Sequence, residues 1–171
     1  HPTRFEEQLK FLEENPNYVV VGSRVDIIDE HGEKTKQEFK FFEDDKAIRS
    51  ALKYRMPLCH PGVTFRASTM FANKGYLIGN NSEDHELYMR IARDPNNLFK
   101  NLPSLLLSYR KHSSQATDMS NSRQSFCDNG GFRFTEFLLT WNPIYLIGIV
   151  AIHPLMRKGR EMIRNIKENF S

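Results

Sequence analysis

Apolar positions along this chain fall into two alternating rhythms as far as about residue 112. Phe5, Leu9 and Leu12 follow Pro2 at helical spacing, and Asn15-Pro16 ends that helix. Tyr18-Val19-Val20-Val21-Gly22 is too short and too β-branched for a helix, and predicts a buried strand continuing through residues 24–28. A turn at Glu30-His31-Gly32-Glu33 leads to a second extended piece over 37–42. Asp44-Asp45 then opens a helix carrying Ile48 and Leu52, its acids at the positive end. Residues 58–65 read as another strand, with Pro61-Gly62 inside it marking an edge or a bulge. A short helix over 68–71 stops at Asn73-Lys74-Gly75. Asn81-Ser82 caps a helix over 83–93, and Asp94-Pro95 breaks it. Short strands follow at 98–99 and 105–109.

Beyond residue 112 the rhythm changes. Residues 113–125 are polar and predict a mobile segment. Aromatic-rich helices are expected over 132–141 and 144–152, then a basic amphipathic helix to the end. Strand and helix alternation followed by helices predicts an α/β fold with a parallel or mixed sheet, carrying an α-helical C-terminal appendage.

Length and charge narrow this picture. A chain of 171 residues suits one domain, or one domain plus an appendage. It can bury roughly 70% of its unfolded surface, so two cysteines, Cys59 and Cys127, need not form a disulfide scaffold. The net charge of +3 equals the contribution of residues 156–171, where Arg157, Lys158, Arg160, Arg164 and Lys167 face Glu161 and Glu168. No basic stripe interleaved with aromatics precedes that tail, so nucleic acid is excluded as a partner. The start at His1, without Met or targeting segment, suggests a fragment or a processed product.

Three stretches could carry chemistry. In Asn81-Ser82-Glu83-Asp84-His85-Glu86-Leu87-Tyr88-Met89-Arg90, adjacent carboxylates meet the unpaired N–H groups of a helix start. They either cap the helix, or Asp84 faces a cleft as a general base oriented by Glu83 or Arg90. In Tyr109-Arg110-Lys111-His112 the histidine is either a surface residue or a ligand of a divalent metal. In His60-Pro61-Gly62-Val63-Thr64-Phe65-Arg66 the arginine bridges a carboxylate, or helps hold a phosphate or a helix-start acid. Gly-rich phosphate loops, G-x-S-x-G, H-E-x-x-H and paired-Cys metal motifs are all absent from the sequence.

Taken in order, these segments resemble the C-terminal half of a family 2 glycosyltransferase catalytic domain. His1-Pro2-Thr3-Arg4-Phe5-Glu6-Glu7-Gln8 is similar to the helix after that family's metal-binding Asp motif. Asn15-Pro16 with Val19-Val20-Val21-Gly22-Ser23 matches the next helix-to-strand step. His60-Pro61 to Phe65-Arg66, Gly75-Tyr76, Glu83 to Arg90 and Tyr109 to His112 then follow in the family's order.

The resemblance implies a partial GT-A-like (nucleotide-diphospho-sugar transferase) mixed sheet with flanking helices. Residues 1–115 would form the acceptor-side half of the catalytic domain, and residues 116–171 the helical tail. It implies an enzyme that transfers a sugar from a nucleotide-sugar donor to an acceptor hydroxyl with inversion, in cell-surface polysaccharide or glycolipid biosynthesis. Asp84 would be the catalytic base, supported by Glu83 and Arg90. His60 and Arg66 would bind substrate, and His112 would help hold the metal or diphosphate. A divalent metal, Mg or Mn, is expected for the full-length parent, with an incomplete site and no activity in this chain alone, because the donor-binding half would lie before His1.

The tail allows two expectations. Residues 141–156 are the most apolar stretch, too short to span a bilayer, which needs about 20 residues. They either pack on the domain or on a second subunit as a homo-oligomer, or lie in a membrane surface through residues 141–164, with Trp141 and Tyr145 at headgroup level. The latter suits a lipid-linked acceptor and a cytoplasmic enzyme peripheral to the inner face of the membrane. The alternative function is a catalytically inactive α/β assembly or binding module whose helical tail mediates oligomerisation or membrane-surface contact.

Overall fold

The structure, a computed structural model, describes residues 1–77, 82–112 and 122–153. Its organising element is β1 (Tyr18–Ile28), whose Val20 and Val21 have no solvent exposure. One edge of β1 pairs in parallel with β4 (Leu98–Arg110) from Tyr18↔Leu98 to Ile28↔Arg110. The other edge is shared in succession by β3 (Thr64–Phe65), opposite Val20 and Val21, and β2 (Lys34–Glu38), opposite Asp26 and Ile28, both antiparallel. The sheet is mixed and the class α/β, as the alternation of rhythms predicted, and the arrangement is consistent with part of a GT-A-like fold.

Helices α1 (Arg4–Glu14), α2 (Asp45–Leu52), α3 (Ala67–Ala72) and α4 (Glu83–Ile91) accompany the sheet. Gln8 of α1 is fully buried and spends its whole amide on neighbours. Its Nε2 donates to the carbonyls of Val21 (3.2 Å) and Gly62 (2.8 Å), and its Oε1 accepts from the Thr64 hydroxyl at 2.8 Å. A buried amide is tolerated only when satisfied in this way. Asp44 caps α2 by accepting from the Ala47 N–H at 2.8 Å, and Asp45 accepts from both Arg49 Nε and the Phe99 N–H, joining α2 to β4. The core between sheet and helices contains Ile48, Leu58, Leu87, Tyr88, Ile91 and Phe99, all fully buried.

Four expected strands are corrected. Of residues 58–65 only Thr64 and Phe65 pair. Pro61 has no N–H to give a ladder, and His60–Gly62 closes into a 3-10 turn through Gly62 N–H to Cys59 O (2.8 Å) and Val63 N–H to His60 O (3.1 Å). The strand expected at 37–42 is instead Lys34–Glu38. Asp29 sets its position, its Oδ1 accepting from the N–H groups of His31 and Glu33 around Gly32, whose φ is 93°. The two short strands at 98–99 and 105–109 are one strand of 13 residues. Pro103 survives inside it because Ser23 pairs with Leu102 while Arg24 pairs with Leu105, which leaves Pro103 and Ser104 in a bulge.

The C-terminal helices are α5 (Ser122–Thr140) and α6 (Ile144–Ile152). The helix expected over 132–141 is the second half of α5, which begins at Ser122, within the segment expected to be polar and mobile. Residues 113–121 and the basic segment after His153 lie outside the described residues. α5 packs on the body through Phe132, Arg133 and Glu136, each at most 5% exposed, and Arg93 Nε donates to Glu136 Oε1 at 3.0 Å. α6 approaches so closely that a Cβ on Gly148 would fall 2.4 Å from the Lys53 carbonyl oxygen. Among the described residues no helix is long and apolar enough to cross a membrane.

Candidate functional site

A cavity of about 510 Å³ opens where the His60–Gly62 turn, the start of α4, the ends of β2 and β4, and α5 converge. Asp84, His60, Tyr109 and Lys111 line it, together with His85, Asn129 and Arg133. A larger cleft of about 640 Å³ runs along β2 and contains none of the expected site residues.

Asp84 occupies the first turn of α4. Its Oδ1 accepts from the His85 N–H at 2.7 Å, one of the donors that a helix start leaves unpaired. Burial raises the Asp84 carboxyl above the ordinary range; the His60 charge and the His85 N–H oppose this, and the neighbouring Glu83 charge adds to it. The net direction is upward, which brings the carboxyl nearer to the range where it can accept a proton at neutral pH.

His60 is held between two tyrosines. Its Nδ1 lies 2.7 Å from the Tyr88 hydroxyl and its Nε2 3.1 Å from the Tyr76 hydroxyl. In either tautomer one ring nitrogen donates and the other accepts, so both hydroxyls have a partner. Tyr88 is buried and stacks on Phe65 at 5.7 Å and 14°, while Tyr76 is half exposed. Burial pushes both phenols up, and the charge of Asp84 adds to each. The thiol of Cys59 is pushed up to about 12, by burial first and then by Asp84, which leaves it inert as a nucleophile.

The other expected residues are distributed differently. Glu83 is half-buried beside Asp84, and its Oε2 has no hydrogen-bond partner among the described residues. Arg90 does not reach Asp84: Nε and Nη2 grip Glu86 at 2.8 and 2.6 Å, and Nη2 donates to the Gly75 carbonyl at 2.8 Å. It therefore braces the loop that presents Tyr76. Arg66 lies outside the cavity lining and ties off α1, donating to the carbonyls of Tyr18 (2.8 Å), Asn15 (3.3 Å) and Leu12. His112 is exposed just beyond β4. Among the described residues no three His, Cys, Asp or Glu side chains stand together to hold a metal ion. His112 supplies one ligand where a divalent ion needs several, so the described residues do not by themselves complete a metal site.

Several lining residues escaped the sequence. His85 sat unremarked among the charged residues Glu83, Asp84 and Glu86. Arg133 and Asn129 sit more than 40 residues from Asp84 in the chain. Their only local signal was a lone cation within the aromatic run Phe132-Arg133-Phe134.

A mixed α/β sheet with a half-buried carboxylate at a helix mouth, lining a cavity, thus describes the class of site. No protein-family model matches the chain. It is 31% identical over 138 residues to the O-antigen biosynthesis glycosyltransferase WbnJ of Escherichia coli, covering 80% of this chain and 52% of that protein. It is 30% identical over 125 residues to the amylovoran biosynthesis glycosyltransferase AmsE of Erwinia amylovora, covering 73% of this chain and 44% of that protein. The chain is related to glycosyltransferases, and it spans about half the length of these curated relatives.

Proposed function

We propose that this chain forms the acceptor side of a glycosyltransferase of bacterial surface-polysaccharide biosynthesis, with Asp84 as the general base. An acceptor hydroxyl oxygen attacks the anomeric carbon of a nucleotide-sugar donor as its proton passes to the Asp84 carboxylate. The bond from that carbon to the donor phosphate oxygen breaks, the nucleoside diphosphate leaves, and the anomeric configuration inverts. The observation that carries this reading is the half-buried Asp84 carboxylate at the mouth of α4, lining a cavity with groups able to hydrogen-bond a sugar. The polysaccharide assignment rests on what the two relatives are described as making. His60, which lines the cavity, and the Tyr76 hydroxyl beside its Nε2 orient the acceptor in this reading. The test is turnover of the intact protein carrying Asp84→Asn: activity close to that of the parent would remove Asp84 as the base.

The partner surface follows from α5 and α6. Phe134, Leu138, Leu139, Trp141, Ile147 and Val150 are all about half exposed or more, and ring contacts run from Phe134 through Phe137 to Trp141. The adjoining segment carries the whole net positive charge of the chain. Exposed apolar residues followed in the sequence by a cationic segment fit an anionic bilayer surface, where a lipid-linked acceptor would be displayed. Flotation with vesicles of zwitterionic lipid plus a fifth or so of anionic lipid tests this. Binding that falls in Trp141→Ala and Leu138→Glu supports it, and binding equal to that of the parent refutes it.

A further inference from the structure

We infer that α5 is part of the catalytic pocket rather than a separable tail, with Asn129 and Arg133 acting as positioning residues for Asp84. This rests on the assignment of Asp84 as the base, and it concerns how that carboxylate is held. Two paths lead from α5 to it.

The first path runs through Ser82. Ser82 stands at the N-cap of α4 and is 2% exposed, yet its side chain makes no capping bond to the helix. The hydroxyl instead accepts from Nδ2 of Asn129. An N-cap serine ordinarily satisfies the helix-start N–H groups itself. Here that work falls to the Asp84 carboxylate, which accepts from the His85 N–H, while the serine is held by α5. Arg133 locks Asn129 in this pose, its Nη1 donating to the Asn129 carbonyl at 3.0 Å and to Oδ1 at 3.1 Å.

The second path runs through His85, the residue whose N–H holds Asp84. Its Nε2 donates to the Leu52 carbonyl at 2.7 Å, and the Arg133 guanidinium lies 3.4 Å from the same ring. Arg133 is 1% exposed and its Nε donates to the Lys53 carbonyl at 3.1 Å. Among the described residues it forms no ion pair with a carboxylate. Burying a cation that pairs with no acid is expensive, and a core that needed only packing would favour an apolar residue there. The guanidinium instead joins α5, the C-terminal end of α2 and the first turn of α4 at one point on the cavity wall. A shift of about 1 Å in a reacting group can lower turnover by about a hundredfold, so the precision of this joint bears on rate more than on binding.

The experiment compares Asn129→Ala and Asn129→Asp in the intact protein. Aspartate has the shape of asparagine, accepts from the Ser82 hydroxyl and keeps the contact with Arg133, so it should restore the joint. In Asn129→Ala, kcat should fall about tenfold with KM for the donor unchanged, and amide exchange over residues 83–87 should quicken while that of α2 holds. Asn129→Asp should recover both. Ser82→Ala should not add to the effect of Asn129→Ala, because the Ser82–Asn129 bond is already lost in the latter. Unchanged exchange at 83–87 in Asn129→Ala, or additive losses in the double variant, would overturn the inference. The exchange measurement does not depend on sugar transfer. A parent protein that transfers no sugar would count against the proposed function alone.

Discussion

The Arg133 guanidinium lies 3.4 Å from the His85 ring nitrogen that donates to the Leu52 carbonyl, and both residues are buried. The pair consists of a buried cation and a buried base. Burial, and then the charge of Arg133, lower the imidazole from its ordinary 6.5 to about 3. His85 is therefore neutral in the folded protein throughout the physiological range.

That shift fixes a sign for the dependence of stability on pH. Below pH 6.5 the unfolded chain binds a proton at His85 that the folded chain refuses until about pH 3. Stability therefore falls as pH drops through this window, by up to about 1.4 kcal/mol per pH unit from this group. Denaturant midpoints at pH 7 and pH 5 should show the loss, and His85→Gln, which can still donate to Leu52, should flatten it. An equally steep loss in His85→Gln would assign it to other groups.

Asp84 has the opposite sign. Its folded carboxyl is raised, so the folded chain keeps a proton that the unfolded chain has already released, and ionisation lowers stability as pH rises. Asp84→Asn should therefore cut sugar transfer by about a hundredfold or more while leaving the protein at least as stable at pH 7. Parallel turnover and denaturation measurements check both. A variant that is inactive because it has unfolded would show as a lowered midpoint instead.

Gly22 lies in the most buried part of β1, where a Cβ would fall 2.1 Å from Oδ1 of Asn101 on β4. Asn101 cannot withdraw easily, because its Nδ2 is committed to the carbonyls of Phe42 (2.7 Å) and Pro57 (3.1 Å). Gly22→Ala should destabilise the protein by about 1–3 kcal/mol, read as a lowered denaturation midpoint with unchanged slope.

Gly148 makes the matching contact for α6. Its missing Cβ faces the Lys53 carbonyl, a backbone atom that also accepts from Arg133. Gly148→Ala should lift α6 away from the body, quicken amide exchange over residues 144–152 and disturb the Arg133 joint. Exchange unchanged there would mean that α6 docks elsewhere.

Much of the architecture was legible because it depends on local rules. Val19-Val20-Val21 declares a buried strand by β-branching, Asp44 declares a helix start by capping, and Ile144–Ile152 is a helix over the very residues expected. The strand misread at 58–65 failed because an apolar run says nothing of backbone pairing once Pro61 interrupts it. At the site, Asp84 and His60 were legible as polar residues at element ends. Arg90 and Arg66 were drawn to the site by their charge, but carbonyl and carboxylate partners elsewhere hold them. No local pattern could pair Asn129 with Ser82 or Arg133 with His85.

The amino-acid sequence by itself determined the alternation of strand and helix, the concentration of charge after residue 155, and the acid at the start of α4. Each follows from propensities and spacings within a few turns of chain. Tertiary structure alone decided that His60 stands between Tyr76 and Tyr88, and that a helix 40 residues downstream closes on the mouth of α4. Hydrogen bonds among buried side chains form between whichever groups packing brings within about 3 Å. That proximity is set by how sheet and helices stack, which no stretch of sequence states on its own.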